Sequence, residues 1–93
     1  MIKNFKDKET GKLFKLEYSR KLPLHIQETA MEQLWMIDSA KDINDLRLPL
    51  SNHLEKLKGD RKGQYSIRIN RQWRICFNWK ENNAYNLEII DYH

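Results

Sequence analysis

The chain has 93 residues, 40% of them hydrophobic and 11% aromatic, with a formal net charge of +4. Such a composition predicts a globular protein, and the length predicts one domain spanning residues 1–93, because a chain of this size closes one modest core. A single cysteine excludes an internal disulfide framework, and no apolar run reaches the ~18 residues that a transmembrane helix needs.

The first half of the chain predicts a short strand followed by helices. Ile2 and Phe5 stand among lysines, as in an edge strand, and residues 10–18 suit one or two helical turns. Pro23 occupies a position typical of a helix start, and residues 24–40 place apolar side chains at helical spacing. A further turn is predicted over residues 42–46, before Pro49.

The second half changes to a period of two, which predicts β-strands. Apolar residues alternate with polar ones around residues 65–69, 73–80 and 85–89, and the Asn82-Asn83 pair suits a tight hairpin. Three consecutive strands predict an antiparallel meander with the helices covering its apolar face. The predicted fold class is therefore α+β, with an N-terminal strand and helices packed on one face of a C-terminal antiparallel sheet.

Charge is distributed unevenly along the sequence. Residues 47–80 contain nine basic and two acidic residues, a net charge of +7, whereas the rest of the chain has a net charge of −3. This segregation is typical of a protein that contacts a phosphate backbone, although a solvated lysine-rich surface explains it about as well.

The predicted meander also has a polar face opposite the core. Strand parity assigns to that face Ser66, Arg68, Arg74, Asn78, Lys80 and, by extension of the last strand, Tyr92. The large apolar residues Trp35, Trp73, Phe77 and Trp79 are predicted in the core. Cys76 is predicted to be a small filler, although pairing with His53 or His93 as a nucleophile is conceivable.

Few other patterns in the sequence carry chemistry. The cysteine and three histidines show no metal-ligand pairing, so neither a metal nor a cofactor is predicted. The loop 58–63 offers lysines to a phosphate but lacks a P-loop ending. Spacing alone favours a polar tail for Asp91-Tyr92-His93, although an imidazole there suits proton transfer. The first seven residues lack the apolar run of a signal peptide, so we expect a cytoplasmic protein.

Several blocks in the second half resemble one toxin family. Residues 54–70 (LEKLKGDRKGQYSIRIN), residues 72–77 (QWRICF) and the terminal Asp91-Tyr92-His93 are similar, in this order, to the HigB toxins of the RelE-like superfamily. The resemblance extends over essentially the whole chain. It implies a small α+β toxin that enters the ribosomal decoding site and cleaves messenger RNA there without a metal. It also implies an antitoxin of the HigA type with a helix-turn-helix domain, through which alone operator DNA is contacted, and no membrane partner.

The resemblance also assigns residues. Asp91, Tyr92 and His93 match the functional C-terminal motif, Arg74 matches the arginine of a Trp-Arg step, and Lys58 matches the basic residue before a glycine. The remaining expected RNA or ribosome contacts are His53, Lys56, Arg61, Lys62, Arg68 and Arg71. Some members carry a histidine two residues before the leucine that is Leu57 here. This chain has Glu55 there, which is expected either to take part in the chemistry or to hold a lysine, with His53 reaching the same face if the segment is extended.

These assignments define a mechanism. His93 is the leading acid or base, Asp91 orients it or shares the proton transfer, Arg74 and Lys58 neutralise the scissile phosphate, and Tyr92 positions the nucleotide. Two alternatives remain open from the sequence. One is a non-catalytic RNA- or ribosome-binding regulator of translation, and the other is a degenerate toxin retained for repression with its antitoxin.

Overall fold

The sheet is built from the alternating segments of the second half. The computed structural model describes residues 1–92 and contains strands β1 (Glu55–Lys56), β2 (Gln64–Arg68), β3 (Trp73–Lys80) and β4 (Asn83–Asp91). All neighbouring strands are antiparallel, in the order β1-β2-β3-β4. The predicted α+β class and three-strand meander are confirmed. β1 was not predicted, because two residues are too few to show alternation.

Two helices precede the sheet. Helix α2 (Leu24–Ser39) occupies the predicted segment. Helix α1 (Lys8–Phe14) begins two residues earlier and ends four residues earlier than the predicted range of residues 10–18. α1 begins early because the Asp7 carboxylate caps it, accepting hydrogen bonds from the Thr10 backbone N–H (3.3 Å) and hydroxyl (2.7 Å). The turn predicted over residues 42–46 is a 3₁₀ turn, Ile43–Arg47. None of the helices in residues 1–92 is long and apolar enough to span a membrane.

The predicted N-terminal strand does not form as a continuous ladder. Ile2 and Phe5 make isolated parallel bridges to Ala84 and Leu87. Between these bridges the Asn4 side chain accepts the hydrogen bond of the Asn86 backbone N–H at 2.9 Å. A side chain therefore takes the donor that a regular strand pair would have used.

The core lies between the helices and one face of the sheet. In α2, Ile26, Ala30, Leu34 and Ile37 form one buried stripe at helical spacing. The sheet and α1 supply the opposite wall, with the buried residues Leu13, Ile67, Ile75, Phe77, Ala84, Leu87 and Ile89. The helices cover only the face of the sheet that carries these side chains. Burial of apolar surface is the dominant favourable term in folding, so this contact is the main source of stability.

The tryptophans do not all join this core. Phe77 is fully buried, and Trp73 and Trp79 pack against the core while half-buried, as predicted. The prediction for Trp35 was wrong, since it is 47% exposed and stacks on Phe14 with ring centroids 4.8 Å apart. Trp35 follows the buried Leu34, so it points away from the α2 stripe and lies over α1.

A bulge in β4 shifts the alternation in its first half. The pairing of β3 with β4 shifts between Cys76 and Asn78, and Asn86 adopts a left-handed backbone with φ 55°. Tyr85 consequently pairs with Asn78 and leaves the core face, contrary to the alternation predicted for residues 85–89. The hairpin turn comprises Glu81 and Asn82, both with positive φ, one residue earlier than predicted.

Thr10 joins α1 to the strand that ends at the site described below. Its Oγ1 accepts a hydrogen bond from the buried Ile89 backbone N–H (3.1 Å) while its hydroxyl donates to Asp7. We expect Thr10→Val to lower the free energy of unfolding by about 1–3 kcal/mol, because the Ile89 donor loses its partner without a change of shape. Urea unfolding measures this, with the exposed Thr29→Val as the matched control. Equal stability of the two variants would contradict the assigned role.

Candidate functional site

Arg74 lies near the start of β3, on the sheet face that points away from the helices. We call this the open face; it carries Gln64, Ser66, Arg68, Arg74, Cys76, Asn78, Lys80, Tyr85, Glu88 and Tyr92. The Arg74 side chain is only 14% exposed, and its Nη1 donates to the Ser66 hydroxyl at 2.7 Å. Ser66 is fully buried on the neighbouring β2. The guanidinium is therefore held in one orientation rather than extended into solvent.

A carboxylate from β1 lies against this arginine. Glu55 Oε2 is 3.3 Å from Arg74 Nη2, because β1 pairs Glu55 with Ser66 and so brings it beside β2. The expectation that Glu55 holds a lysine was wrong, since its partner is Arg74. Glu55 is 47% exposed, so the carboxylate is accessible to a bound molecule.

His53 reaches Arg74 through its backbone and not through its ring. Its carbonyl accepts a weak hydrogen bond from Arg74 Nη1 at 3.4 Å. The residue has a left-handed backbone, φ 45°, so the segment is not extended as the sequence argument required. The exposed His53 side chain lines a small open cavity of about 230 Å³ with Arg47, Leu50 and Leu54.

The C-terminal residues approach Arg74 from the end of β4. The Arg74 guanidinium carbon lies 5.1 Å from the centre of the Tyr92 ring, a cation–π contact. The Tyr92 backbone N–H donates to the Gln72 carbonyl at 2.7 Å, and the Asp91 carboxylate accepts from Gln72 Nε2 at 3.0 Å. Both residues are thus anchored to the β2–β3 turn. His93 lies outside the described residues.

Two further arginines lie near this group. Arg68 is the cross-strand partner of Arg74, and its Nε donates to the Asn70 carbonyl at 3.1 Å. Arg71 is exposed in the following turn. Within residues 1–92, neither has a carboxylate within salt-bridge distance. Like charges facing each other across strands are unfavourable, so this end of the open face is suited to an anion.

The loop between β1 and β2 carries the predicted lysines. Lys56, Lys58 and Lys62 line an open cavity of about 260 Å³ together with Leu57 and Gly59. All three lysines are exposed, and none of them forms an ion pair with any of residues 1–92. This cluster is separate from the contacts of Arg74.

Arg61, predicted to contact RNA, is paired within the protein. Its Nη1 donates to Glu88 at 2.9 Å and to Gln64 at 3.0 Å, and the hydrogen bond to Glu88 raises its pKa above the usual value. A second cation, Lys6, lies 3.5 Å from the same Glu88 carboxylate. Arg61 can therefore reach RNA only by sharing or breaking this pair.

Cys76 lies on the open face but is fully buried there. Desolvation raises the pKa of its thiol to about 11. A neutral, inaccessible thiol is a poor nucleophile at neutral pH, so the predicted role as a small filler is the one its burial favours. Among residues 1–92, no group of three or more His, Cys, Asp and Glu is placed to hold a metal ion.

Ser66 was predicted on the polar face of the sheet, but no role was predicted for it. Its importance comes from register, because pairing Glu55 with Ser66 and Arg68 with Arg74 puts a buried hydroxyl within reach of the Arg74 side chain. The signal available in the sequence was strand parity, which assigns Ser66, Arg68 and Arg74 to the same face of the sheet. The contact itself depends on a strand of two residues that has no pattern of its own.

Comparisons with known proteins identify the family. A family model described as the RelE-like toxin of type II toxin-antitoxin system HigB matches residues 3–93. The chain is 37% identical over 93 residues to the Endoribonuclease HigB of Proteus vulgaris, covering 100% of both chains. It is 36% identical over 87 residues to Toxin HigB-1 of Vibrio cholerae, covering 92% of each.

Solved structures agree with this relationship. One is a heterotetrameric YoeB-YefM toxin-antitoxin complex from Staphylococcus aureus, with 28% identity, a TM-score of 0.53, and coverage of 73% of this chain and 71% of that chain. Another YoeB-YefM complex from the same organism, at 24% identity, shares the fold with a TM-score of 0.57 over 100% and 95% of the two chains. The family match spans nearly the whole chain and includes every residue around Arg74. The chain therefore belongs to the HigB-like toxins, the RelE-like toxins of type II toxin-antitoxin systems.

Proposed function

We propose that this toxin is a metal-independent endoribonuclease that cuts messenger RNA on the ribosome and thereby inhibits translation and growth. The main support for this proposal is that the Arg74 guanidinium, the Glu55 carboxylate and the Tyr92 ring meet on the open face. Family membership and the full-length similarity to a protein named as an endoribonuclease support it.

The reaction requires three operations on the RNA. A base removes the proton of a ribose 2′-OH, the 2′ oxygen attacks the adjacent phosphorus, and an acid protonates the departing 5′ oxygen. Negative charge develops on the phosphorus-bound oxygens as the new bond forms. A fixed guanidinium stabilises this charge better than a mobile one because it needs no reorganisation during the reaction.

Arg74 is suited to that electrostatic role. Its planar fork matches two phosphate oxygens, and its contact with Ser66 fixes the plane of the fork. An incoming phosphate would displace the Glu55 carboxylate or share the Arg74 guanidinium with it, because Glu55 is the exposed member of the pair. Lys58 is proposed to neutralise the phosphate from the neighbouring loop, and Tyr92 to position the nucleotide by stacking.

Proton transfer is assigned to three residues, His93, Asp91 and Glu55. His93 is the leading acid or base, and Asp91 orients it or shares the transfer. Glu55 is paired with Arg74, the proposed phosphate-binding residue, so we assign it to the chemistry in place of the histidine of other members. Its release from Arg74 on phosphate binding would leave it free to accept a proton.

The remaining basic residues are proposed to hold the RNA and the ribosome. Arg68 and Arg71 extend the positive surface from Arg74, and the cluster of Lys56, Lys58 and Lys62 extends it along the β1–β2 loop. Arg61 and His53 are proposed as weaker RNA contacts, because Arg61 is paired with Glu88 and His53 reaches Arg74 only through its backbone carbonyl. We propose a cytoplasmic location, because the proposed substrate is messenger RNA on ribosomes. We also propose that a HigA-like helix-turn-helix antitoxin neutralises the toxin and that operator DNA is contacted only through this antitoxin.

Primer extension on a defined message in a purified translation system tests the function. We expect new 3′ ends that require both ribosomes and the toxin, and we expect His93→Ala to reduce them by about 10²- to 10⁴-fold, the range for a lost acid or base. His25→Ala, an exposed histidine of α2, is the matched control and should cut normally. Stalled translation on intact message would instead establish a non-catalytic regulator, and full cutting by His93→Ala would remove His93 from the mechanism.

A second prediction concerns the shape of the Arg74 cation. Arg74→Lys keeps the charge but loses the planar fork and the geometry fixed by Ser66, so we expect cleavage to fall by about 10²-fold. Single-turnover cleavage on ribosomes measures this, with the exposed Arg20→Lys as the control for arginine replacement. Unchanged cleavage by Arg74→Lys would show that charge alone is needed there.

A third prediction separates this mechanism from one that uses a thiol. Because Cys76 is buried and its thiol pKa is about 11, we expect iodoacetamide at pH 7.5 to leave the folded protein unmodified and to react only after unfolding. Mass spectrometry detects the modification, and Cys76→Ala should retain cleavage. Rapid alkylation of the native protein, with loss of cleavage, would point to a nucleophilic cysteine.

A further inference from the structure

A second recess lies on the open face, at the end of β3 far from Arg74. It has a volume of about 550 Å³, and its lining includes Asn78, Lys80, Glu81 and Tyr85. None of these residues belongs to the contacts of Arg74, and none was assigned a role by the sequence or the resemblance. The recess therefore needs an explanation of its own.

Tyr85 faces this recess because β4 is bulged. Regular alternation would place Tyr85 on the same face as the buried Leu87 and Ile89, inside the core. The bulge at Asn86 instead makes Tyr85 the cross-strand partner of Asn78. Bulges that redirect a side chain are typical of the neighbourhood of functional sites. Here the consequence is a half-buried aromatic ring beside polar groups and not against the core.

The bulge is supported by specific hydrogen bonds. Asn4 accepts from the Asn86 backbone N–H and donates to Asn86 Oδ1, both at 2.9 Å, which holds Asn86 in its left-handed conformation. Asn86 Nδ2 in turn donates to Asn78 Oδ1 at 3.2 Å, and Gln64 Nε2 donates to the same oxygen at 3.5 Å. Asn78 Oδ1 thus accepts two hydrogen bonds, which fix the orientation of the side-chain amide.

The recess has hydrogen-bonding groups without protein partners. Among residues 1–92, none forms a hydrogen bond with Asn78 Nδ2, Tyr85 Oη or Lys80 Nζ. Lys80 and Glu81 carry opposite charges, so the recess has no net charge of its own. This combination suits a planar, uncharged group with donors and acceptors on its edge, and it is poorly suited to a phosphate.

We propose that this recess is a nucleobase subsite, in which a base of the bound single strand stacks on Tyr85 and hydrogen-bonds to Asn78. Base recognition by an aromatic ring beside polar side chains is the usual way in which proteins hold single-stranded RNA. The inference rests on the proposed function, because it takes RNA as the molecule that crosses the open face.

The spacing of the two sites agrees with one RNA strand occupying both. Arg74 and Asn78 are four residues apart on one face of β3, which is about 13 Å at ~3.3 Å per residue. This distance is spanned by roughly four nucleotides at the ~3.4 Å spacing of a stacked strand, and by fewer in an extended one. The base in the recess therefore belongs to a nucleotide that is a few positions away from the scissile phosphate along the strand.

The experiment is an NMR titration of the full chain with a 2′-O-methyl hexaribonucleotide, which binds but lacks the attacking hydroxyl. We expect the side-chain amides of Asn78 and Asn86 to shift on binding. Tyr85→Ala should raise the Kd by about 5- to 100-fold, the range for loss of a stacking ring, and Tyr85→Phe should restore most of the affinity. Tyr18→Ala, an exposed tyrosine on the helical side, is the matched control.

The outcomes separate this inference from the proposed function. Unmoved Asn78 and Asn86 amides at millimolar RNA, or an unchanged Kd for a folded Tyr85→Ala protein, would overturn the subsite, even if ribosome-dependent cleavage is observed. Tyr85-dependent binding without any cleavage on ribosomes would leave the subsite standing and overturn the catalytic function. Amide shifts produced by a protein partner and not by RNA would assign the recess to protein recognition and overturn the proposal.

Discussion

The alternation of side chains along β3 is the constraint on which the rest of the molecule depends. Ile75 and Phe77 point into the core, so Arg74 and Asn78 must point to the opposite face. A shift of one residue would bury the arginine and expose the largest core side chain. The register that stabilises the fold is therefore the same register that presents the guanidinium.

A fixed cation is only part of the site, and the other groups come from separate segments. Glu55 arrives on a strand of two residues, Ser66 on β2 and Tyr92 at the end of β4. These elements meet because the sheet is antiparallel and its strands are in sequence order, which brings the start of β1, the end of β2 and the end of β4 to the same end of the sheet as Arg74. Each of these three groups is held by backbone pairing, so the immediate surroundings of Arg74 are formed by the sheet itself.

The departures from regular pairing change which side chains lie on the open face. The bulge at Asn86 interrupts the helix-facing alternation of β4, and the Asn4 side chain takes the place of a continuous N-terminal strand. The result is an aromatic ring on the open face, some distance from Arg74. The helices, by contrast, contribute the core and the anchoring of β4 through Thr10, and they carry none of the groups assigned to the chemistry.

The sequence by itself determined the α+β class, α2, three strands and the presence of arginines on one sheet face, because period and parity are local properties of the chain. The family followed from ordered blocks of residues. Only the tertiary structure decided that Glu55 pairs with Arg74, that Trp35 is half exposed, that Tyr85 leaves the core and that Arg61 is bound to Glu88. Each of these depends on contacts between residues distant in sequence, on a two-residue strand or on a bulge, and none of them produces a periodic pattern in the sequence.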